Sequence, residues 1–295
     1  MPFIKFTWPE RVFQYFNYIF MICFALITLY PLMYVFFASV SRPELFVGHS
    51  GLLLRPLGFT IGGYQLVFQN PMLLRAYGNT ILYMTVGTIL NLIMTTIGAF
   101  VLSRRDFKLK VPIMMMIVFT MFFSGGLIPT YLLVMGLGLG NTMWALILPS
   151  AISSFNLIIM RTYFLNIPST YEEAARIDGA NDVVILVRII LPLCMPIVAV
   201  MILFYGVGHW NSWFSAMIYL RSREMFPLQL ILREILILAD TRNMLIGVEA
   251  GIDQEPIAEI IRYATIMVAT VPILFVYPFL QKYFVKGIML GGVKG

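Results

Sequence analysis

The chain has 295 residues, of which 60% are apolar and only 12% charged, with a formal net charge of +6. Soluble domains carry about a quarter charged residues, so this composition excludes an ordinary soluble globular protein. The basic excess does not indicate a nucleic-acid partner, because it is concentrated in short segments next to long apolar runs.

In chain order, Met1–Arg11 is a short basic lead, with Trp8 placed as an interfacial anchor. Uncharged intervals follow at Val12–Ser41, Ala76–Ser103, Val111–Met160, Ile189–Leu220 and Tyr263–Gln281. A membrane helix needs about 20 apolar residues, so Val111–Met160 must hold two, separated near Gly136–Asn141. The expectation is an all-α polytopic membrane protein of six transmembrane helices, forming one domain over residues 1–295. The first run is too long for the apolar region of a signal peptide. Cys23 and Cys194 fall in or near apolar segments and read as packing residues.

Arg104, Arg105, Lys108 and Lys110 crowd one short loop; Lys5 and Arg11 precede the first span, and Lys282, Lys286 and Lys294 follow the last. The positive-inside rule then puts both termini and this loop in the cytoplasm. The longer loops, about 42–75 and 221–262, face outward. Within the third span, Ser124–Tyr131 (SGGLIPTY) interrupts the helix, and Gly136–Asn141 is a turn. The fourth span carries Pro149, Ser153, Ser154 and Asn156; Asn91 and Asn156 read as links between helices, and Arg161 as a side chain snorkelling to lipid phosphate.

The hydrophilic island at about 166–191 contains IPSTYEEAARIDGANDVVILVRIILPLCMP from Ile167 to Pro196. Ser169 with Glu172, and Thr170 with Glu173, are spaced as overlapping capping boxes. A helix through Ile177, a stop at Asp178-Gly179 and a second helix capped by Asn181 or Asp182 and running to Leu191 follow from the pattern. Ala174, Ala175 and Ala180 offer a surface of little bulk, suited to another protein's groove. Glu172 and Glu173 are adjacent on a helix, point apart, and read as a solvated or partner-facing pair rather than catalytic carboxylates.

The fifth span contains YGVGHWNSW, Tyr205–Trp213. Tyr205, Trp210, Asn211 and Trp213 suit two readings equally: stacking on and hydrogen bonding to a sugar in a water-filled path, or packing between helices. Beyond it, PLQLILREILILA reads as an outer helix packed on the bundle or lying at the interface. No catalytic constellation or metal site is expected, since His49 and His209 lack companions at ligand spacing. No G-x-x-x-x-G-K-[ST] occurs, so no ATP-hydrolysing site of that kind lies in this chain. The uncharged intervals also lack the intramembrane carboxylates that a secondary transporter would use.

EAARIDGA followed by IILPLCMP resembles the EAA loop of ABC importer permeases. Asn79-Thr80, Trp210-Asn211, Phe226-Pro227-Leu228 and the ending QKYFVKGIMLGGVKG resemble carbohydrate-uptake permeases of the MalG type. FSGGLIPTYLLVMGLGLGNTMWALILP and VPILFVYPFLQKYFVKG are similar to the LplC/YtcP-like branch of that family. The resemblance implies a type I ABC importer permease fold in the bacterial cytoplasmic membrane. It implies a second permease, two ATPase subunits that bind ATP and Mg, an external solute-binding protein, and an oligosaccharide cargo; the alternative is a non-sugar solute such as an amino acid. It also implies that Glu172, Glu173, Ala174, Ala175, Asp178, Gly179 and Ala180 couple to the ATPase. By the same resemblance, Gly291, Gly292, Val293, Lys294 and Gly295, closing the tail at 282–295, touch the ATPase pair.

Overall fold

A computed structural model of the chain describes residues 7–237, 259–275 and 278. Among them every regular element is helical and no strand occurs. In chain order the helices are α1 (Trp8–Ser39), α2 (Pro43–Val47), α3 (Gly62–Phe68), α4 (Met72–Ser103), α5 (Lys110–Phe122) and α6 (Leu127–Gly136). Then come α7 (Trp144–Ser150), α8 (Ser154–Leu165), α9 (Thr170–Ile177), α10 (Asp182–Leu193), α11 (Met195–Trp210) and α12 (Phe214–Tyr219). Residues 228–237 and 259–275 are also helical.

The chain divides into two compact units. The first comprises, among the described residues, 7–70, 232–237 and 259–270. There α1 is exposed along most of its apolar length, and only its C-terminal end enters a core, with Ala38 beside Phe46, Leu53 and Ile260. Gly63 lies so close to the helix at 259–270 that an added Cβ would meet Ile260 Cγ2 at 2.7 Å. Leu53 N donates to the Tyr30 hydroxyl at 3.1 Å, and Leu57 N to Ser41 Oγ at 3.0 Å, which ties the segment after α2 to the end of α1.

The second unit comprises, among the described residues, 71–231, 271–275 and 278. Its centre is α4, which packs on α8 and α11. The buried stripe of α4 runs Leu73, Ala76, Thr80, Tyr83, Gly87, Asn91, Thr95 and Ala99 at three- and four-residue spacing, with Thr88 and Thr96 beside it, and most of its members are small or polar. Small side chains let neighbouring helix backbones approach, which replaces the hydrophobic driving force that a bilayer does not supply. α1 and α4 are long and apolar enough to cross a membrane unbroken. The pairs α5–α6, α7–α8 and α10–α11 qualify as bent spans, with angles of 115°, 50° and 87°. The first bend falls in the Ser124–Tyr131 interruption, where Gly126 takes φ +82°. The last falls at Cys194, between Pro192 and Pro196; α10 therefore runs past the expected Leu191 to Leu193, by way of a π-helical stretch at Ile185–Ile190.

The turn at Gly136–Asn141 is as expected, with Gly138 at φ +73° and Asn141 at φ +56°. Asn141 fastens it: its Oδ1 accepts from the backbone N–H of Arg221 and of Ser222, both at 2.9 Å. Asn79-Thr80 and Phe226-Pro227-Leu228, far apart in sequence, come together. Asn79 Nδ2 donates to the Glu224 and Phe226 carbonyls at 2.7 and 3.1 Å, and Leu228 N donates to Thr80 Oγ1 at 2.8 Å.

Candidate functional site

The first site is the loop at 166–191. α9 begins after Ser169, but Ser169 is itself helical in backbone angle and makes no side-chain cap, so the expected capping boxes do not form. The helix ends as expected. Gly179 takes φ +80°, and the N–H groups of Gly179 and Ala180 return to the carbonyls of Arg176 and Ala175 at 3.1 and 2.9 Å. That bond pair is a Schellman stop. Asn181 Oδ1 then accepts from Val184 N at 2.9 Å and opens α10.

Glu172 turns inward and pairs with Arg104, whose guanidinium carbon lies 3.7 Å over the Phe100 ring. The side chains are 10% exposed for Arg104 and 27% for Glu172. The basic loop and α9 thus meet at a largely dry ion pair. Burial pushes the Arg104 guanidinium below its ordinary range, Asp182 draws it back up, Arg176 adds to the lowering, and Asp106 opposes it. Ala175 is buried and Ala180 packs beside it in one core with Phe100, Met160, Ile185, Ile190, Met201 and Tyr205. Of the expected low-bulk surface, Ala174 alone faces outward, with Glu173, Asp178 and Gly179. The outer face instead carries apolar bulk that the sequence reading missed: Ile177 is 86% exposed, and Tyr171 and Val183 stand out beside it. Arg161 is also reassigned in part, since its Nε donates to the Leu102 carbonyl at 2.9 Å.

The second site is a cavity of about 470 Å³ between α7–α8 and α11–α12. Ser150, Ser153, Asn156, Tyr205, His209 and Ser212 supply much of its polar lining, Phe204 and Tyr219 supply rings, and no Asp, Glu, Lys or Arg lines it. Its polar groups are held from behind. Asn91 Nδ2 donates to the Ser150 and Ala151 carbonyls at 2.6 and 2.9 Å, so Asn91 Oδ1 faces His209 Nε2 at 2.7 Å. An amide oxygen only accepts, so Nε2 carries the proton and a neutral ring keeps Nδ1 as an acceptor. The Tyr205 hydroxyl shares a hydrogen bond with Thr95 Oγ1 at 2.7 Å and accepts from Ser153 N at 3.2 Å.

Of the four residues expected along a substrate path, only Tyr205 lines this cavity. Trp210 is buried and packs on Tyr77 at 6.3 Å between ring centroids, Asn211 ends α11 on the exposed side, and Trp213 sits edge-on to Phe214. Trp210 thus packs between α4 and α11, and Trp213 also packs on the core of Tyr83, Val134, Ala145 and Tyr219. His209 lines the cavity from the α11 face that meets Asn91. Among the described residues no group of three or more His, Cys, Asp or Glu could hold a metal.

Residues 94–290 match the family of binding-protein-dependent transport system inner membrane components. The chain belongs to that family. It is similar to the polygalacturonan/rhamnogalacturonan transport system permease protein YtcP of Bacillus subtilis (strain 168), with 41% identity over 97% of this chain and 99% of that protein. Protein LplC of the same organism is also 41% identical, over 98% of this chain and 97% of its own length. Among solved structures, a chain of a bacterial ABC transporter involved in the import of the acidic polysaccharide alginate is 32% identical. It superposes with a TM-score of 0.83 over 96% of this chain and 100% of that one. The protein is therefore a membrane-integral ABC permease component of the type I fold, not an enzyme. The tail residues Gly291, Gly292, Val293, Lys294 and Gly295, the end of the sixth apolar run and residues 238–258 of the 221–262 loop lie outside the described residues.

Proposed function

We propose that this permease passes an oligosaccharide, of the pectic or other acidic polysaccharide class, through a pore shared with a second permease. The carrying observation is the cavity: hydroxyl, amide and imidazole groups, with the Tyr205 hydroxyl and the His209 ring held by hydrogen bonds to α4, line a space with aromatic walls and no fixed charge. Sugar hydroxyls match such donors and acceptors, and sugar ring faces match Phe204 and Tyr219. The similarity to YtcP and to the alginate importer supports the acidic class. No cation in this cavity meets the sugar carboxylates, so the proposal assigns their recognition to the second permease or to the binding protein.

In this reading the chain crosses the membrane six times, with both termini and the coupling loop in the cytoplasm. Two ATPase subunits bind ATP and Mg, and an external binding protein delivers the sugar. Closure of the ATPases pulls α9 through its outer face, Glu173, Ala174, Ile177, Asp178 and Gly179, and rocks the bundle from inward- to outward-facing. The terminal Gly291–Gly295 reaches the ATPase pair. The test is reconstitution with binding proteins loaded with oligogalacturonides, neutral maltodextrins or amino acids. Stimulated ATP hydrolysis with the first is expected; stimulation by an amino-acid-loaded protein alone overturns the substrate class.

A further inference from the structure

The second unit carries another concave surface, which shares no residue with the cavity described above. A groove of about 470 Å³ is lined by Val111, Met114, Met115, Val118 and Phe119 of α5, with Lys110 at the start of that helix and Arg161 of α8. We propose that it binds one anionic phospholipid, with the phosphate held by Lys110 and Arg161 and an acyl chain laid along α5.

The two cations are placed rather than loose. Lys110 Nζ donates to the Arg105 carbonyl at 3.0 Å and the Arg104 carbonyl at 3.4 Å. Arg161 Nε donates to the Leu102 carbonyl at 2.9 Å, which leaves its terminal N–H groups for another acceptor. Among the described residues neither forms an ion pair with a carboxylate. Both therefore hold positive charge at the mouth of the groove without an anion from this chain.

The wall below them is apolar, which excludes free phosphate as the best occupant. Val111, Met114 and Val118, with Met115 and Phe119 four residues apart beside them, recur at three- and four-residue spacing on one helix face. From Lys110 to Phe119 the helix rises about 14 Å, at 1.5 Å per residue. That is roughly half of a hydrocarbon core of about 30 Å, the depth of one leaflet. Lys110 and Arg161 adjoin the basic loop, which marks this end as the headgroup level. Scattered exposed apolar residues are ordinary on a membrane helix; a concave stripe one leaflet deep under two unneutralised cations is a lipid-shaped site. Its headgroup end is joined by Arg161 and Leu102 to the strand of chain that carries Arg104 and hence the coupling helix.

The experiment uses the chain purified with the subunits it assembles with, in nanodiscs of phosphatidylcholine with a small fraction of phosphatidylglycerol, and counts retained lipids by native mass spectrometry. Wild type should retain one phosphatidylglycerol in preference to phosphatidylcholine. A juxtamembrane cation contributes about fivefold in affinity for an anionic lipid, so Lys110→Gln or Arg161→Gln should lower that preference about fivefold and the pair about thirtyfold. Met115→Trp fills the groove without changing charge and should abolish retention, which keeps the proposal testable if the charge variants fail to assemble. Equal retention of both lipids by wild type overturns it, as does retention untouched by Met115→Trp. A photo-crosslinking residue at position 115 that joins to a protein subunit instead of lipid also overturns it.

Discussion

The pair between Arg104 and Glu172 separates two roles that adjacent glutamates on one helix would otherwise share. Replacing Glu172 with Gln leaves Arg104 over the Phe100 ring without its anion, in a position only 10% exposed. Removing one member of a fully buried pair costs about 3–5 kcal/mol, because the remaining charge is left uncompensated. Glu172 is 27% exposed, so solvent offsets part of that, and about 2–3 kcal/mol is expected for docking of α9. At a factor of ten per 1.4 kcal/mol, amides of residues 173–178 should exchange with solvent roughly 30- to 150-fold faster. Hydrogen exchange resolved by mass spectrometry on the assembled complex reads this directly. Arg104→Met combined with Glu172→Gln should recover most of the protection, since the stranded guanidinium is what destabilises. Glu173→Gln, on the exposed face, should leave exchange unchanged and act only on assembly with the ATPase. Unaltered exchange in Glu172→Gln would refute the claim that this pair holds the loop.

At Gly179, φ is +80° and an added Cβ meets nothing within 4 Å, so a substitution costs backbone strain alone. Asn should be nearly neutral, Ala worse, and Val worst at about 1–3 kcal/mol, read as declining co-purification of the ATPase; equal behaviour of Asn and Val would contradict the left-handed turn. A Cβ at Gly87 runs into the His209 ring, so Gly87→Ala should displace His209 from Asn91 and lower substrate-stimulated turnover, at an overpacking cost of about 1–3 kcal/mol. Gly78→Ala, with open space around it, is the matched control, and equal effects of the two would remove His209 from the explanation. Cysteine at His49 in a Cys23→Ser background should react with an impermeant thiol reagent from outside intact cells; reaction only after permeabilisation reverses the proposed orientation. Deleting Gly291–Gly295 should leave membrane insertion intact and reduce stimulated ATP hydrolysis, and unchanged turnover would make the tail a flexible end.

What was legible in the sequence was what local chemistry decides. Gly179 announces a left-handed stop, Gly125-Gly126-Pro129 a broken helix, and the uncharged runs their helices, because each signal acts within a turn or two of itself. The failures are long-range. Ser169 and Thr170 have capping spacing, yet the helix at Ser169 is already wound, and Glu172 is drawn to Arg104, 68 positions earlier in the chain. Nothing local predicts that partner, although four basic residues in 104–110 left open where their anion would come from. Trp210 and His209 are neighbours on α11, and only His209 lines the cavity. Which of two neighbours faces a cavity depends on helix rotation, and α11 has apolar residues on every side. The cue that could have chosen His209 is the paired stripe of small and polar residues on α4, which marks the face that α11 must meet.

The core that holds Ala175 also holds Tyr205, and Tyr205 is part of the cavity wall. Between them lie Ile185, Ile190 and Cys194, all buried, along a helix with a π-helical stretch that then turns by 87°. Close-packed interiors deform little, so a displacement of α9 has to be taken up where packing is least dense or backbone pairing is weakest. Two such places lie on the route: the π-helical stretch, a feature often found at functional sites, and the cavity itself. The bend at Cys194 cannot absorb the motion freely, because Cys194 N bonds back to the Ile190 and Leu191 carbonyls, both at 3.0 Å, and its side chain is wholly buried. In the proposed cycle a pull on the coupling helix therefore reaches α11 and changes the cavity between α11 and α8. The uncharged lining suits that role. Hydroxyl and amide contacts can be broken and remade one at a time at about 0.5–1.5 kcal/mol each, whereas a buried ion pair to the cargo would hold it against release.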